Sequence, residues 1–581
     1  MTAKSEAGAT AAPPREFPPK WVGGTLDRAF GAIPGVAFLA AGALSGRFLV
    51  KVANERTDQE LLATLASWLP SSCQPAWAAA ACCALGLLLF LALSWRTKPI
   101  YLLDFACYRP PNDLKVTYTR FMQGSRDSGF FDDEALDFQR RILEKSALSE
   151  ETFFPRGLHS DPPEVTMETA REEAEHAFEA CIQDALERTG LKPKDIDVLV
   201  TNCSLFNPTP SLAAMVINKF KMRSDIDSYN LAGMGCSAGV LAIGLATKLL
   251  RERKRGGYAL VVSTENITQN WYRGRERSML IPNTIFRLGA AAIVLTSKGS
   301  ERKRSKYELE HIVRVHLGRD EPAYRCIFQE PDSQGRMGVA LSKDIVHVAA
   351  KALTTNLTRL GPLVLPWSEK LMFAANWVAR FFKGKEAIAA YVPDFTKAFD
   401  HFCLHAGGRG VVEGLSKQLG LSLKQMAPSA NTLYWYGNTS SSTIWYSFGY
   451  CEAVPGVQRG ERVWQVAFGS GFKCNSAVWR ALRPVHDTTH AAWKHIEGRE
   501  DEAIRTLLTI SEASKAEREA SKKAANGHAN GQEETKRNGA THKDHERDVE
   551  AKQNGHVEGS AHGEVERRIT RAQAKKVAVT A

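Results

Sequence analysis

Short, mostly apolar runs set between longer helical stretches constrain this chain more than any other feature. "IDVLVT" (Ile196 to Thr201), "YALVVS" (Tyr258 to Ser263) and "AAIVLT" (Ala291 to Thr296) each read as a strand. Met167 to Thr189 carries a long amphipathic helix pattern, and Ser211 to Phe220 reads as a further helix. Cys236 to Lys254 is helical as well, with basic residues at its C-terminal end and Gly256-Gly257 to stop it. The rhythm returns in the second half. Ser342 to Leu360, Gly410 to Leu419 and Thr439 to Cys451 read as helices; Phe402 to His405 ends a strand, and Val463 to Phe468 and Asn475 to Trp479 are strands. Alternating βαβ units in two halves imply a layered α/β fold with helices on both faces. Direct similarity between the halves is too weak to read as a repeat.

Two stretches lie outside this rhythm. Pro75 to Trp95, "PAWAAAACCALGLLLFLALSW", holds no charge and has the length of a membrane span, with Arg96 and Lys98 directly behind it. Ala29 to Gly46 is also uncharged but contains Pro34 and several glycines, and reads as a second span. A buried core helix is the alternative. A signal peptide does not fit, because Met1 to Arg28 is too long and polar. Arg47, Lys51 and Arg56 between the runs do not settle orientation. The expected organisation is a disordered segment 1–28, a transmembrane helical hairpin within 29–98, the α/β body 99–483, a C-terminal extension 484–512 and a disordered charged tail 513–581. Within the body, Tyr101 to Pro163 reads as a linker with short elements. "SEKLMFAANWVARFFK", Ser368 to Lys383, is amphipathic with large aromatics. It suits a membrane surface, the wall of an acyl tunnel, or an ordinary half-buried helix.

The formal net charge is +11, but both signs are mixed along most of the chain. Without a basic stripe interleaved with aromatics, nucleic acid is a poor partner. CoA esters or an anionic membrane surface fit as well. Eleven cysteines without CxxC pairs or metal spacing argue against a disulfide framework or zinc site, and for a reducing compartment.

One of those cysteines stands apart. In "NLAGMGCSAG", Cys236 sits among Gly233, Gly235 and Gly239, after a strand and at the first turn of a helix. A helix N-terminus lowers a thiol pKa, and glycines let a substrate carbonyl approach. A small buried cysteine is the structural alternative. "DHFCLHAGG" places His401 and His405 four residues apart, with Ala-Gly-Gly after His405. No carboxylate or thiolate cluster completes a metal site around this pair. "YGNTSSSTIWY" offers Asn438, a helix cap or a hydrogen-bond donor, before a run of small hydroxyl residues. A Cys, a His and an Asn stripped of bulky neighbours suggest thiolate chemistry on an acyl group, with the His and Asn donating to an oxyanion. Residue chemistry alone does not separate acyl transfer from hydrolysis.

From about Tyr101 to Arg483 the chain resembles the plant-type 3-ketoacyl-CoA synthases, condensing enzymes of fatty-acid elongation. The likeness rests on "YLLDFACYRPPNDLKV", "NLAGMGCSAG", "STENITQNWY", "YRCIFQEPD", "LGPLVLPWSE", "HFCLHAGGRG", "GNTSSSTIWY" and "GSGFKCNSAVWRALR". That resemblance implies a thiolase-like fold, shared with chalcone synthase, and Cys236, His405 and Asn438 as the catalytic Cys-His-Asn set. His316 and His401 match further histidines implicated in the family, as catalytic or as packing residues. It also implies an acyltransferase that joins malonyl-CoA to a long-chain acyl-CoA through an acyl-cysteine, with no metal or redox cofactor. The implied setting is the endoplasmic reticulum membrane with the body facing the cytosol, a homodimer, and partnership with the reductases and dehydratase of elongation. Tyr434 replaces a histidine usual in plant members. A phenol does not titrate near neutrality, so an acid–base role at that position is in doubt. This departure and the long tail motivate two rivals, a catalytically silent membrane-bound partner of an active elongase and a polyketide-type synthase of the same fold.

Overall fold

The computed structural model describes residues 97–541 apart from Lys385, with side chains as far as residue 521. The expected disordered N-terminus and both expected spans lie outside the described residues. Among the described residues, no helix is long and apolar enough to cross a membrane.

The described strands are β1 (Tyr101–Cys107), β2 (Lys115–Val116), β3 (Thr152–Phe153), β4 (Val198–Asn202), β5 (Asp227–Leu231), β6 (Tyr258–Thr264), β7 (Ala290–Thr296), β8 (Tyr307–His316), β9 (Ile327–Pro331), β10 (Met337–Leu341), β11 (His401–Leu404), β12 (Arg462–Gly469) and β13 (Lys473–Ala481). Nine of them form one sheet in the order β11-β12-β13-β8-β1-β7-β6-β4-β5. Parallel pairing is confined to its two ends, β5-β4-β6 and β11-β12, and the strands between are antiparallel. These ends are the two βαβ halves of the sequence rhythm. Helix Met167–Thr189 packs on β1, β6 and β7, and helix Ala238–Glu252 on β4, β6 and β13. Helix Ile345–Val364 lies on β8 and β13, and helix Thr443–Ala453 on β11, β12 and β1.

Local chemistry sets the boundaries. Thr166 caps helix Met167–Thr189 by accepting from the Thr169 amide at 3.1 Å, and Gly190 ends it at φ 64°. Ser211 caps helix Leu212–Phe220 through the Ala214 amide at 3.2 Å. The expected helix at Thr439 begins instead as a 3-10 turn, Ser440–Ser442, and becomes α-helical at Thr443. Asn438, not a helix residue, is thereby left free to face a cavity.

Two expectations need correcting. Tyr101 to Pro163 is no linker at its start: β1 is an interior strand, paired with β7 and β8. Its apolar run is broken by Asp104, where the register shifts, and Asp104 is satisfied by the Lys306 ammonium at 2.6 Å. Residues 513–541 are helical rather than disordered, because helix Glu502–Thr541 runs through that boundary; the rest of the expected tail, 542–581, lies outside the described residues. Ala503 and Leu507 anchor it against Ala430 and Leu433, and Lys145 bonds Glu517 at 2.5 Å. Ala, Glu, Lys and Arg beyond that anchor are good helix formers. The segment 484–512 packs into the same body, with Trp493 and Ile496 in its core.

Candidate active site

Cys236 lies in the turn between β5 and helix Ala238–Glu252, two residues before the first helical position. Its small neighbours have a specific purpose. Gly235 has φ 69°, and a Cβ there would sit 2.3 Å from the Ser470 amide nitrogen. A Cβ on Gly239 would fall 2.6 Å from the Ser441 carbonyl oxygen, and one on Gly469 2.6 Å from the Ser237 hydroxyl. Three loops therefore meet backbone to backbone around the thiol. Asn475 Nδ2 donates to Ser237 Oγ at 3.0 Å and ties β13 to the same junction. The variant Gly235→Ala is expected to displace this turn, and a displacement near 1 Å can cost ~10²-fold in rate. Steady-state kinetics beside a thermal melt separate that loss from unfolding.

The cavity onto which Cys236 opens has a volume of about 660 Å³ and is lined by Cys236, His405, Asn438 and His316 together. Most of its wall is apolar, including Ile267, Trp271, Phe286, Ile327, Leu341 and Leu415. His405 follows the end of β11, its amide donating to the Val466 carbonyl at 3.0 Å, and its ring is buried. A Cβ on Gly407 would lie 3.0 Å from the ring, so the glycine gives the imidazole its place. His405 Nδ1 has no partner among the described residues, and burial lowers the imidazole to about 4. With no carboxylate bonded to Nδ1 among the described residues, burial keeps the His405 ring neutral. Asn438 is held at both ends of its peptide, donating to the Ile285 carbonyl and accepting from the Arg287 amide, each at 3.0 Å. Its Oδ1 accepts from the Ser440 amide at 2.8 Å, while Nδ2 reaches the Gly407 carbonyl at a long 3.3 Å. Nδ2 keeps a second hydrogen for a ligand.

The expected lowering of the thiol pKa is overturned. Burial pushes Cys236 up to about 12; a hydrogen bond from Ser440 opposes the shift and the Glu265 charge adds to it. Desolvation outweighs the helix N-terminus at this position. Both shifts favour the neutral forms, a protonated thiol and an uncharged imidazole on the wall of one cavity.

His316 is exposed at the cavity rim, where its Nδ1 accepts from the Gly318 amide at 2.9 Å; burial and the Lys473 charge lower it. His401 is not brought to the cavity. It points to Glu461, with Nε2 2.9 Å from Oε2, and packs beside Cys451. Burial works against its charge, but Cys451 and Glu461 raise it to about 9. The four-residue spacing misleads because β11 ends at Leu404 and the chain turns before His405. Tyr434 also faces elsewhere: its hydroxyl donates to Glu502 Oε2 at 3.3 Å, on the helix Glu502–Thr541. The exchange at 434 therefore touches the C-terminal helix and not the cavity lining.

Residue reasoning missed Glu265 and Ser440. Glu265 is buried in the cavity wall and accepts from the Leu205 amide (3.0 Å), the Ser204 amide (3.3 Å), Cys203 Sγ (3.3 Å) and Ser440 Oγ (3.0 Å). Burial raises its carboxyl. Ser440 adopts φ 56° and touches both Glu265 and the thiol. A carboxylate inside "STEN" looks like a solvent loop, and only its position just after β6 hinted at burial.

An α/β body with a cysteine at a strand–helix junction, and a histidine and an asparagine on the wall of the same apolar cavity, defines a thiolase-like condensing enzyme. Solved structures agree on the fold. A point mutant of CsyB has TM-score 0.52 at 20% identity, covering 66% of this chain and 100% of its own. The fungal type III polyketide synthase ORAS has TM-score 0.53 at 18% identity, covering 66% and 99%. The model of the FAE1/Type III polyketide synthase-like proteins matches residues 92–382, and that of the 3-oxoacyl-[acyl-carrier-protein] synthase III C terminal matches 396–481. In Arabidopsis thaliana, 3-ketoacyl-CoA synthase 4 is 54% identical over 400 residues, covering 69% of this chain and 77% of the relative. There, 3-ketoacyl-CoA synthase 17 is 53% identical, covering 69% and 82%. The chain belongs to the 3-ketoacyl-CoA synthase family.

Proposed function

We propose that this protein condenses malonyl-CoA with a long-chain acyl-CoA, giving CO2, CoA and a 3-ketoacyl-CoA two carbons longer, in very-long-chain fatty acid elongation. The observation that carries the reading is the placement of Cys236, His405 and Asn438 on one apolar cavity. Cys236 Sγ attacks the acyl thioester; its proton passes by way of His405 to the departing CoA sulfur. The acyl-cysteine forms as the acyl–CoA bond breaks. Malonyl-CoA then loses its carboxylate as CO2, and the electron pair of that C–C bond becomes the thioester enolate. The His405 N–H and Asn438 Nδ2 donate to the enolate oxygen. The enolate carbon attacks the acyl-cysteine carbonyl, the acyl–sulfur bond breaks, and the departing Cys236 thiolate takes a proton from solvent to restore the resting thiol. None of these steps calls for a metal or redox cofactor.

Incubation of the detergent-purified chain with malonyl-CoA and acyl-CoA primers of different length tests this. One condensation per primer supports the assignment; a series of longer polyketide products, or no product at all, contradicts it. Asn438→Ala should lower turnover ~10²- to 10³-fold, the loss expected for one oxyanion donor.

The buried thiol sets a pH dependence. A pKa raised to about 12 means the thiolate fraction grows tenfold per pH unit below it. Alkylation of Cys236 by iodoacetamide should therefore climb ~tenfold per unit from pH 6 to 9. A plateau beginning below pH 8 would show a thiolate already formed at rest.

The proposed setting is the endoplasmic reticulum membrane, with the body on the cytosolic side, held by a hairpin within 29–98. A homodimer working beside the reductases and dehydratase of elongation completes it. The uncharged run Pro75 to Trp95 and the family resemblance support this setting.

A further inference from the structure

Helix Trp367–Lys383 is amphipathic with its polar side turned inward. Glu369, its one acidic residue, is buried, where it accepts from Lys397 Nζ (2.6 Å), Tyr391 Oη (2.6 Å) and the Asp394 amide (2.9 Å). Asn376, two turns on, donates to the Ala389 carbonyl at 3.0 Å and accepts from the Tyr391 amide at 3.0 Å. These bonds fasten one face to the 389–397 segment. The opposite face carries Trp367, Leu371, Val378, Phe381 and Phe382 at helical spacing. Trp367, Phe381 and Phe382 are 69%, 73% and 80% exposed. No residue of this helix lines the cavity, so it is not a wall of that cavity; it is half-buried, with one face fastened to the body and the other exposed.

Soluble surfaces rarely present so continuous an apolar strip. Its charges narrow the choice of what covers it. Glu369 is already neutralised within the body, whereas Lys370 lies 5.1 Å over the Trp367 ring and Lys383 stands in the last turn. A basic apolar helix suits the boundary between anionic headgroups and acyl chains, with Trp and Phe at the depth their rings favour. A second copy of the same helix would set lysine against lysine. Helix Ile345–Val364, immediately before it, contributes Ile345, Val346 and Ala349 to the cavity wall. We propose that the outer face of helix Trp367–Lys383 lies in the surface of an anionic phospholipid bilayer, a contact separate from any span within 29–98.

The test uses the full chain in nanodiscs of phosphatidylcholine, with and without phosphatidylserine, containing a phospholipid with a photoreactive acyl chain. After photolysis, labelled peptides are mapped by mass spectrometry. Label is expected on 367–383, several-fold more with phosphatidylserine, and reduced at least fivefold in the double variant Phe381→Glu/Phe382→Glu. Both side chains are exposed, and a thermal melt checks that the variant folds. Label on 75–95 reports separately on the expected span. Absence of label from 367–383, label unaffected by the double variant, or copy-to-copy crosslinking through Lys370 would each overturn the proposal. No arm reads activity, so failure here is distinct from failure of the condensation reading.

Discussion

Cys236→Ala should reduce 3-ketoacyl-CoA formation by ~10³-fold or more while leaving the protein folded. The thiol opens on a cavity, and its one named partner, Ser440, is also held by Glu265, so its removal costs little packing. What disappears is the covalent carrier of the acyl chain, which no neighbouring group replaces: Ser440 donates to Glu265, and His405 is neutral. His405 and Asn438 still face the cavity and still stabilise an enolate. Decarboxylation of malonyl-CoA should therefore survive to a greater extent than condensation, and the two rates should separate. Parallel assays of released CO2 and of 3-ketoacyl-CoA measure this. Equal loss of both would place Cys236 in the decarboxylation step as well.

The second large effect lies far from the chemistry. Lys306 is buried and its ammonium meets Asp104 (2.6 Å), Glu452 (2.8 Å) and Asp487 (3.3 Å), with Arg188 bonding Asp487 at 2.6 Å. These three carboxylates come close enough to resemble a cation site, but Lys306 already supplies the charge. The cluster ties β1, the residue directly before β8, helix Thr443–Ala453 and the segment after β13 to one another. Lys306→Met leaves the carboxylates buried without their cation, which costs about 3–5 kcal/mol. In a body of this size, with an unfolding entropy of ~2 cal/mol/K per residue, that lowers Tm by about 3–5 °C. The sign with pH follows from Glu452. Burial raises its carboxyl, and although Lys306 opposes that shift it still titrates near 7. A carboxyl raised in the folded state favours folding below its unfolded pKa, and that contribution is lost as pH rises through the folded value. Without Lys306 the opposing term is gone, so the variant's deficit should be larger at pH 8 than at pH 5. Thermal melts at the two pH values check the magnitude and the direction.

The strands most legible in the sequence are those buried on both faces, since β6 and β7 are unbroken apolar runs. β1 is hidden by one charged residue, Asp104, whose partner Lys306 lies 202 residues away. No local pattern reports such a pair. The C-terminal helix is hidden for a related reason. Ala503 and Leu507 of its first turns are buried in the core and Ile504 and Ile510 pack partly against it, too few to outweigh a hydrophilic composition. At the site, Cys236, His405 and Asn438 are legible because close backbone approach demands glycine and serine around them. Glu265 and Ser440 are not, because their meaning depends on a contact between β6 and the Asn438 loop. At Cys236 the helix N-terminus is visible in sequence, whereas the desolvation that raises the thiol is not.

The most direct measurement supplies the full-length protein with a long-chain acyl-CoA and no malonyl-CoA, then weighs it intact and maps the modified peptide. One acyl group attached at Cys236, discharged as a 3-ketoacyl-CoA when malonyl-CoA is added, is the expected result. An unmodified protein, an acyl group on another cysteine, or an adduct that malonyl-CoA leaves in place would contradict it.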